Sequence, residues 1–593
     1  MNTMKKIIIL NIIILCCLGC ADLDLEPRAS LPKSAVFESE QGLDLYANSF
    51  YNMLPGASSI SYTDGGDVMS DFMARRDVPS FIRPGSFSAR ESSGWSWSEL
   101  RNINYFIKNL NESPLPQDVK NNYLGLARFF RAWFYFQKVI RFGDVPWITK
   151  AMDVNDPDLY NGRDSRFLVM DSVLVDINFA IDNIKLTNDA SRSLVTRDIA
   201  LAFKSRLCLF EGTFRKYHQD YGFQQTAAEW LTQSANAAKS IIDAGKFSLN
   251  VGEDSYRDLF ISKSPIASEV MLATHYSLDL GLLHAANWYW TSATYGVRGS
   301  FSRTFINTYL NIDGTPFTNN PDYKTLTFQE ETKSRDLRLK QTIRTKDYGR
   351  LNGGVFNLSP PLFSYTYTGY QPIKWVLDDT YYDGGAYNDN IVPVFRYAEI
   401  LLNYAEAKAE LGTFSQADWD ITIKQLRNRA GIINASFPTQ ADPYLQENYF
   451  PEISNPVLLE IRRERGIELA MEGFRFNDLL RWKKGELLEM PWNGMYVPAL
   501  NVYLDLNEDG SPDVYFYKSP LNETEIPGVT YINVSPFLSA GVINPMQLES
   551  SDFGEIRWLD NLPRVWAQKN YFYPIPESDR LINPELGQNP GWE

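Results

Sequence analysis

Apolar side chains recur at three- and four-residue steps along much of the first 245 positions. Tyr123, Leu126, Ala127, Phe130, Trp133 and Phe134 trace a thick stripe, and further aromatics widen it into a helix buried on most sides. Arg141-Phe142-Gly143 closes that helix, and Asp144-Val145-Pro146 breaks the pattern. The same periodicity predicts helices over Asp171 to Ile184, Arg197 to Phe214 and Ala227 to Ala244, the last with Gly245 at a left-handed cap position. Helix pairs at intervals of roughly 30 to 40 residues point to tetratricopeptide-like stacking with degenerate repeats. From about 246 to 395 the periodicity is lost and Gly, Asn, Asp, Thr and Tyr rise. Helices return over Arg396 to Leu411 and over Val457 to Trp482, where charges at three-residue steps would brace the helix against its neighbours. The tail after 490 is again loop-rich. The expected fold is therefore mainly α, a helical repeat scaffold with a large irregular region and a few short strands.

The amino terminus carries a different signal. Lys5 and Lys6 precede a 13-residue stretch, Ile7 to Gly19, that is apolar apart from Asn11. That length suits a signal-peptide core and is too short to span a bilayer of about 30 Å. It ends in Cys17-Leu18-Gly19-Cys20, a sequence that resembles a bacterial lipoprotein box with Cys20 as the acylated residue, although such boxes usually hold Leu where Cys17 stands. Cleavage would remove both lysines and take the formal charge from −15 to −17. Cys208 would then be the one other cysteine left, so no disulfide could form within the chain, and its place between Leu207 and Leu209 marks it as a small buried hydrophobe.

Composition narrows the function. Asp and Glu total 72 against 57 Lys and Arg, with no basic run, which excludes a phosphate backbone as partner. No Walker, Rossmann, nucleophile-elbow or zincin motif occurs, and the three histidines share no metal-ligand spacing. Among 72 acids no facing pair can be singled out as glycosidase carboxylates, so a lipid-anchored glycoside hydrolase is an alternative without a residue to support it. Phe, Tyr and Trp make up 14% of the chain. Most lie in helical stripes, but two groups stand in polar, glycine-rich segments. One is Gly94-Trp95-Ser96-Trp97, with Asp64, Asp67, Asp71 and Arg75 upstream; the other is Trp288-Tyr289-Trp290 with Tyr295. A pyranose presents an apolar C–H face that stacks on such rings and hydroxyls that suit Asp, Asn and Arg. These residues are the candidate glycan site. Asp505, Asn507, Asp509, Ser511 and Asp513 alternate around Gly510 as oxygen ligands for a structural Ca²⁺, although Phe516 stands where an EF-hand needs Glu. The same residues equally suit a hairpin turn between Val502-Tyr503-Leu504 and Val514-Tyr515-Phe516.

Six further segments carry a family resemblance. They are Arg131-Ala-Trp-Phe-Tyr-Phe136 with Arg141-Phe-Gly-Asp-Val-Pro146, and Arg396-Tyr-Ala-Glu-Ile-Leu-Leu402 with Tyr404-Ala-Glu-Ala407. Then follow Leu426-Arg-Asn-Arg-Ala-Gly431, Arg463-Glu-Arg-Gly-Ile-Glu-Leu469, Glu472-Gly-Phe-Arg475 with Asp478-Leu-Leu-Arg-Trp482, and Tyr573-Pro-Ile-Pro576 closing on Gln588-Asn-Pro-Gly-Trp592. In this order, behind a lipoprotein signal, the chain resembles the SusD/RagB nutrient-binding lipoproteins of the Bacteroidetes outer membrane. The resemblance implies a signal peptide at 1–19, an N-terminal helical region at 20–270 and a C-terminal region at 271–593 that holds the ligand face. It also implies a lipid anchor in the outer membrane, a surface location, an oligosaccharide ligand and a TonB-dependent SusC-type transporter as partner, without catalysis. The alternative cargo is a peptide, a protein or another non-sugar nutrient, with the helical repeats serving as an adaptor.

Overall fold

The computed structural model describes residues 33–61 and 69–593. Its helical half is built from α1 (Glu40–Ala47), α2 (Ser98–Glu112), α3 (Gln117–Phe142), α4 (Arg166–Asn183), α5 (Arg197–Tyr217) and α6 (Ala227–Ala244). The stops fall where the sequence places them: Gly143 at φ 74° ends α3, and Gly245 in the left-handed region ends α6. α2 packs on α3, α3 on α4, α4 on α5 and α5 on α6, each helix burying its apolar stripe against the next in chain order. The α5–α6 crossing is close because Gly212 faces Leu231, where a Cβ would come within 2.8 Å of Leu231 Cγ. Cys208 is fully buried there, and burial pushes its thiol up to about 12, so it is an inert core residue.

The irregular region is made of short elements. They include α7 (Ala286–Thr291) and the strands β1 (Met73–Ala74), β2 (Val270–Thr274), β3 (Ser300–Phe301), β4 (Gly349–Asn352), β5 (Val355–Leu358) and β6 (Val392–Arg396). β1 pairs with β3, β4 with β5, and β2 with β6, all antiparallel. The division expected at 270/271 thus falls inside β2. Helix α8 (Tyr397–Glu410) follows β6 and lies against both α5 and α6, so the C-terminal part of the chain completes the helical stack. In the tail, β7 (Trp492–Val497) joins Phe553–Trp558 and Met546–Ser550 in a three-stranded antiparallel sheet.

The helix expected over Val457 to Trp482 is two helices, α9 (Pro456–Glu468) and α10 (Arg475–Arg481). Tertiary contacts end α9. Lys374 Nζ donates to Ala470 O at 2.7 Å, Trp375 Nε1 donates to Met471 O at 3.0 Å, and Met471 and Gly473 take φ of 64° and 82°. The break turns Glu472 toward Lys374 and Arg396, which hold its carboxylate at 2.6 and 2.7 Å. The charges of α9 and α10 do brace the core: Glu468 pairs with Arg338, Arg396 and Arg429, and Arg465 and Arg481 pair with Asp478.

Candidate functional site

The two aromatic groups predicted from sequence belong to different cores. Trp95 is buried on the scaffold, edge-on to Phe142 at 4.9 Å and to Trp97 at 5.3 Å. Trp97 is half-buried against Phe134, with Lys138 Nζ 5.5 Å from its ring. Lys138 donates to Gly94 O, and burial lowers its ammonium to about 8. Beside this corner a cavity of about 670 Å³ opens between α3 and α5 on one side and residues 473–481 on the other, with Trp133, Gln137, Phe210, Phe474 and Asn477 in its lining.

The second group corrects the expectation of a loop. Residues 286–291 form α7, and Tyr289 and Trp290 are buried, Trp290 Nε1 donating to Ile60 O at 3.2 Å. A helix turns each successive residue by about 100°, so within one run of three aromatics Tyr289 and Trp290 face the core while Trp288 points partly outward. Trp288 and Tyr295 are half-buried and stack on each other at 3.9 Å and 18°. The 292–298 loop is held to α7 by a close approach at Gly296, where a Cβ would meet Tyr289 O at 2.4 Å.

One aromatic set was missed from sequence. Tyr381 and Tyr387 stack at 5.2 Å and 23° and are 63% and 42% exposed, with Tyr382 edge-on to Tyr381. Exposure of two parallel rings is not explained by core packing. Their segment, Thr380-Tyr-Tyr-Asp-Gly-Gly-Ala-Tyr387, is itself an aromatic run in a glycine-rich turn, so the criterion that picked residues 288–295 could have found it. Asn287, the neighbour of Trp288, ties the two sets together. Its amide Nδ2 donates to Leu377 O at 2.8 Å and Asp383 Oδ1 at 3.2 Å, and its Oδ1 accepts from Asn388 Nδ2 at 2.7 Å. Arg350 from β4 clamps Asp383 through its two terminal guanidinium nitrogens at 2.7 and 2.8 Å. The exposed rings therefore stand on a rigid, hydrogen-bonded base.

The predicted polar partners are distributed differently. Asp71 is buried and takes both Nε and Nη2 of Arg475 at 2.7 Å, so its carboxylate is a core ion pair and does not face a ligand. Arg75 follows β1, and its carbonyl accepts from Trp558 Nε1 at 2.8 Å. Asp64, Asp67 and Cys20 lie outside the described residues. Residues 505–513 form the turn between β8 (Tyr503–Leu504) and β9 (Val514–Tyr517), a hairpin in register Tyr503↔Tyr515. Asp505 accepts the backbone N–H groups of Asn507, Asp509 and Gly510, and Ser511 donates its N–H to Asp509. Among the described residues no three His, Cys, Asp or Glu side chains converge as a metal cage. Asp513 accepts from Leu506 N, and burial with Asp505 and Asp509 nearby pushes it up to about 6.

His218 and His284 are both buried against backbone carbonyls, and burial lowers their imidazole pKa values. Among the described residues no helix is long and apolar enough to cross a membrane.

Stacked helix pairs carrying an irregular half with exposed rings define a tetratricopeptide-like scaffold protein. A sequence profile described as the SusD family matches residues 273–592. The SusD-like protein P38 of Formosa agariphila is 24% identical over 507 residues, covering 80% of this chain and 90% of that protein. A SusD-like carbohydrate-binding protein from Bacteroides fragilis superimposes with a TM-score of 0.66 at 21% identity, over 93% of this chain and 100% of the other. Surface glycan-binding protein A from Bacteroides fluxus gives 0.57 at 17% identity, over 93% and 99%. The chain belongs to the SusD family.

Proposed function

We propose that this protein captures an oligosaccharide at the cell surface and passes it to a TonB-dependent transporter of the SusC type without chemical change. The observation that carries the reading is the pairing of Trp288–Tyr295 with Tyr381–Tyr387 on one braced base, two ring stacks on neighbouring segments of a polar surface. Rings stacked in advance lose little conformational freedom when a sugar lies on them. Family membership supports the cargo and the transporter, and the likeness to a SusD-like carbohydrate-binding protein of Bacteroides fragilis supports carbohydrate as ligand class. Affinity in the micromolar to millimolar range, roughly −8 to −4 kcal/mol, is within reach of a few such contacts and permits release. Acylation at Cys20 would hold the protein at the outer membrane. A structural Ca²⁺ in the 505–513 turn is a separate, smaller proposal, supported by the alternation of Asp505, Asn507, Asp509, Ser511 and Asp513 around Gly510.

The test is titration calorimetry against a panel of oligosaccharides, followed by the best ligand on Trp288→Ala and on Tyr381→Ala/Tyr387→Ala. Each variant should bind at least about tenfold more weakly with an unchanged Tm, a loss of roughly 1.4 kcal/mol. Wild-type affinity in both would remove the site, and release of shortened products during incubation would replace capture with hydrolysis.

A further inference from the structure

Next to Trp288 and Tyr295 the chain gathers positive charge, against its overall balance of −15. β1 and β3 pair with Ala74 opposite Ser300. That register would set Arg76 across from Arg298, yet Arg76 N donates to Val297 O at 2.8 Å, one residue past the register. The step leaves Arg298 as the extra residue of a bulge, at a φ of 49° that a side-chain-bearing residue adopts only at a cost. Like charges facing across a strand pair are destabilising. The bulge takes Arg298 out of direct opposition to Arg76 but keeps it next to Val297, the residue that Arg76 meets.

Among the described residues little neutralises them. Arg76 meets Asp77 at 3.4 Å, with the two side chains 46% and 77% exposed. Among the described residues Arg298 makes no ion pair: its Nε donates to Ala293 O at 2.9 Å, which folds the side chain back over the loop that carries Tyr295, and its guanidinium stands 5.4 Å from the Tyr367 ring. A second observation points the same way. Among the described residues the hydroxyl of Tyr289, a residue only 3% exposed, has no hydrogen-bond partner, and it lies within electrostatic reach of Arg75 and Arg76. An orphaned buried hydroxyl beside the weakly paired Arg76 is a costly arrangement that an acceptor-rich anion would relieve.

We infer that Arg76 and Arg298, with the Tyr289 hydroxyl, form an anion subsite beside the Trp288–Tyr295 stack, and that the ligand is an acidic glycan bearing carboxylate or sulfate ester groups. The inference rests on the aromatic reading of this face and adds its charge class. Guanidinium forks suit both carboxylate and sulfate oxygens, so the shared chemistry is a planar or tetrahedral oxyanion on a sugar ring.

Affinity electrophoresis with two matched pairs tests it: polygalacturonate against its methyl-esterified form, and kappa-carrageenan against its desulfated form. The wild type should bind at least one acidic polymer about tenfold more tightly than its neutral partner. That advantage should shrink as NaCl rises from about 50 to about 500 mM. Arg76→Gln/Arg298→Gln should lose the advantage while keeping its Tm and its binding to the neutral form. Binding of neither acidic polymer, a preference for the neutral form in both pairs, or an advantage that survives in the double variant overturns the subsite. The carboxylate and sulfate arms identify which anion is read. Unchanged binding of every polymer by Trp288→Ala would instead sink the aromatic reading, whatever the arginines do.

Discussion

Glu406 is the residue whose loss should be felt most widely, because it sits where α8, α9 and α10 meet. Its carboxylate is fully buried and accepts from both terminal nitrogens of Arg481 at 2.5 and 2.7 Å and from Trp482 Nε1 at 2.7 Å, with Arg465 at 3.7 Å. Burial alone would raise its pKa, but Arg481, Arg465 and Arg462 more than reverse that and hold it at about 2, against an ordinary 4.5. A depression of that size is worth about 3 kcal/mol of folding stability. The sign follows from the direction. The folded state holds the ionised form more strongly than the unfolded chain does, so the contribution is complete above about pH 4.5 and drains away as pH falls toward 2. Glu406→Gln removes the charge and turns an amide N–H₂ toward donors, leaving Arg481 and Arg465 to share Asp478. The cost at pH 7 should be about 3 to 5 kcal/mol, since one partner of a buried pair is removed. Urea unfolding of both proteins between pH 7 and pH 3 measures it. The gap between them should be widest at pH 7 and narrow steadily below pH 4.5. A gap under about 1 kcal/mol at pH 7, or one that does not change with pH, would refute the reasoning.

Other expectations can be checked separately. Gly212→Ala should destabilise by about 1 to 3 kcal/mol, read from the urea midpoint, because its Cβ would meet the backbone nitrogen of Leu231 at 2.9 Å. Asp513 has a raised folded-state pKa, so it costs stability as pH rises from about 4 through 6; Asp513→Asn should gain about 1 kcal/mol at pH 7 after allowing for its partial exposure, and a loss would contradict this. If Ca²⁺ occupies that turn, adding it should raise the Tm of the wild type and leave Asp513→Asn unmoved. Cys20→Ala should shift the protein from the membrane to the soluble fraction, and retention on the membrane would argue against acylation.

The helices that build the scaffold were legible because a stripe with a 3.6-residue period needs only local information to be recognised. α3, α5 and α6 start or stop at residues whose backbone preference is intrinsic, such as Gly143 and Gly245. The break at Leu469–Phe474 was not legible: nothing between Val457 and Trp482 forbids a continuous helix. Lys374 and Trp375, nearly a hundred residues earlier, claim the carbonyls that would have carried it on. The candidate site divides the same way. Residue type singled out the 288–295 segment, but Trp288 and Trp290 are chemically alike, and which ring is left partly open depends on where α7 lies against Ile60 and the core.

Periodicity, spacing and local order were enough to read off the class of scaffold, the inert state of Cys208 and the resemblance to one family. It took the folded chain to show that Asp71 serves Arg475, that Tyr381 and Tyr387 face solvent, and that Arg76 meets Val297, the neighbour of Arg298. The physical reason is that exposure and charge pairing are set by which distant segments meet. A carboxylate is a ligand or a buried counter-ion according to an arginine 404 positions away.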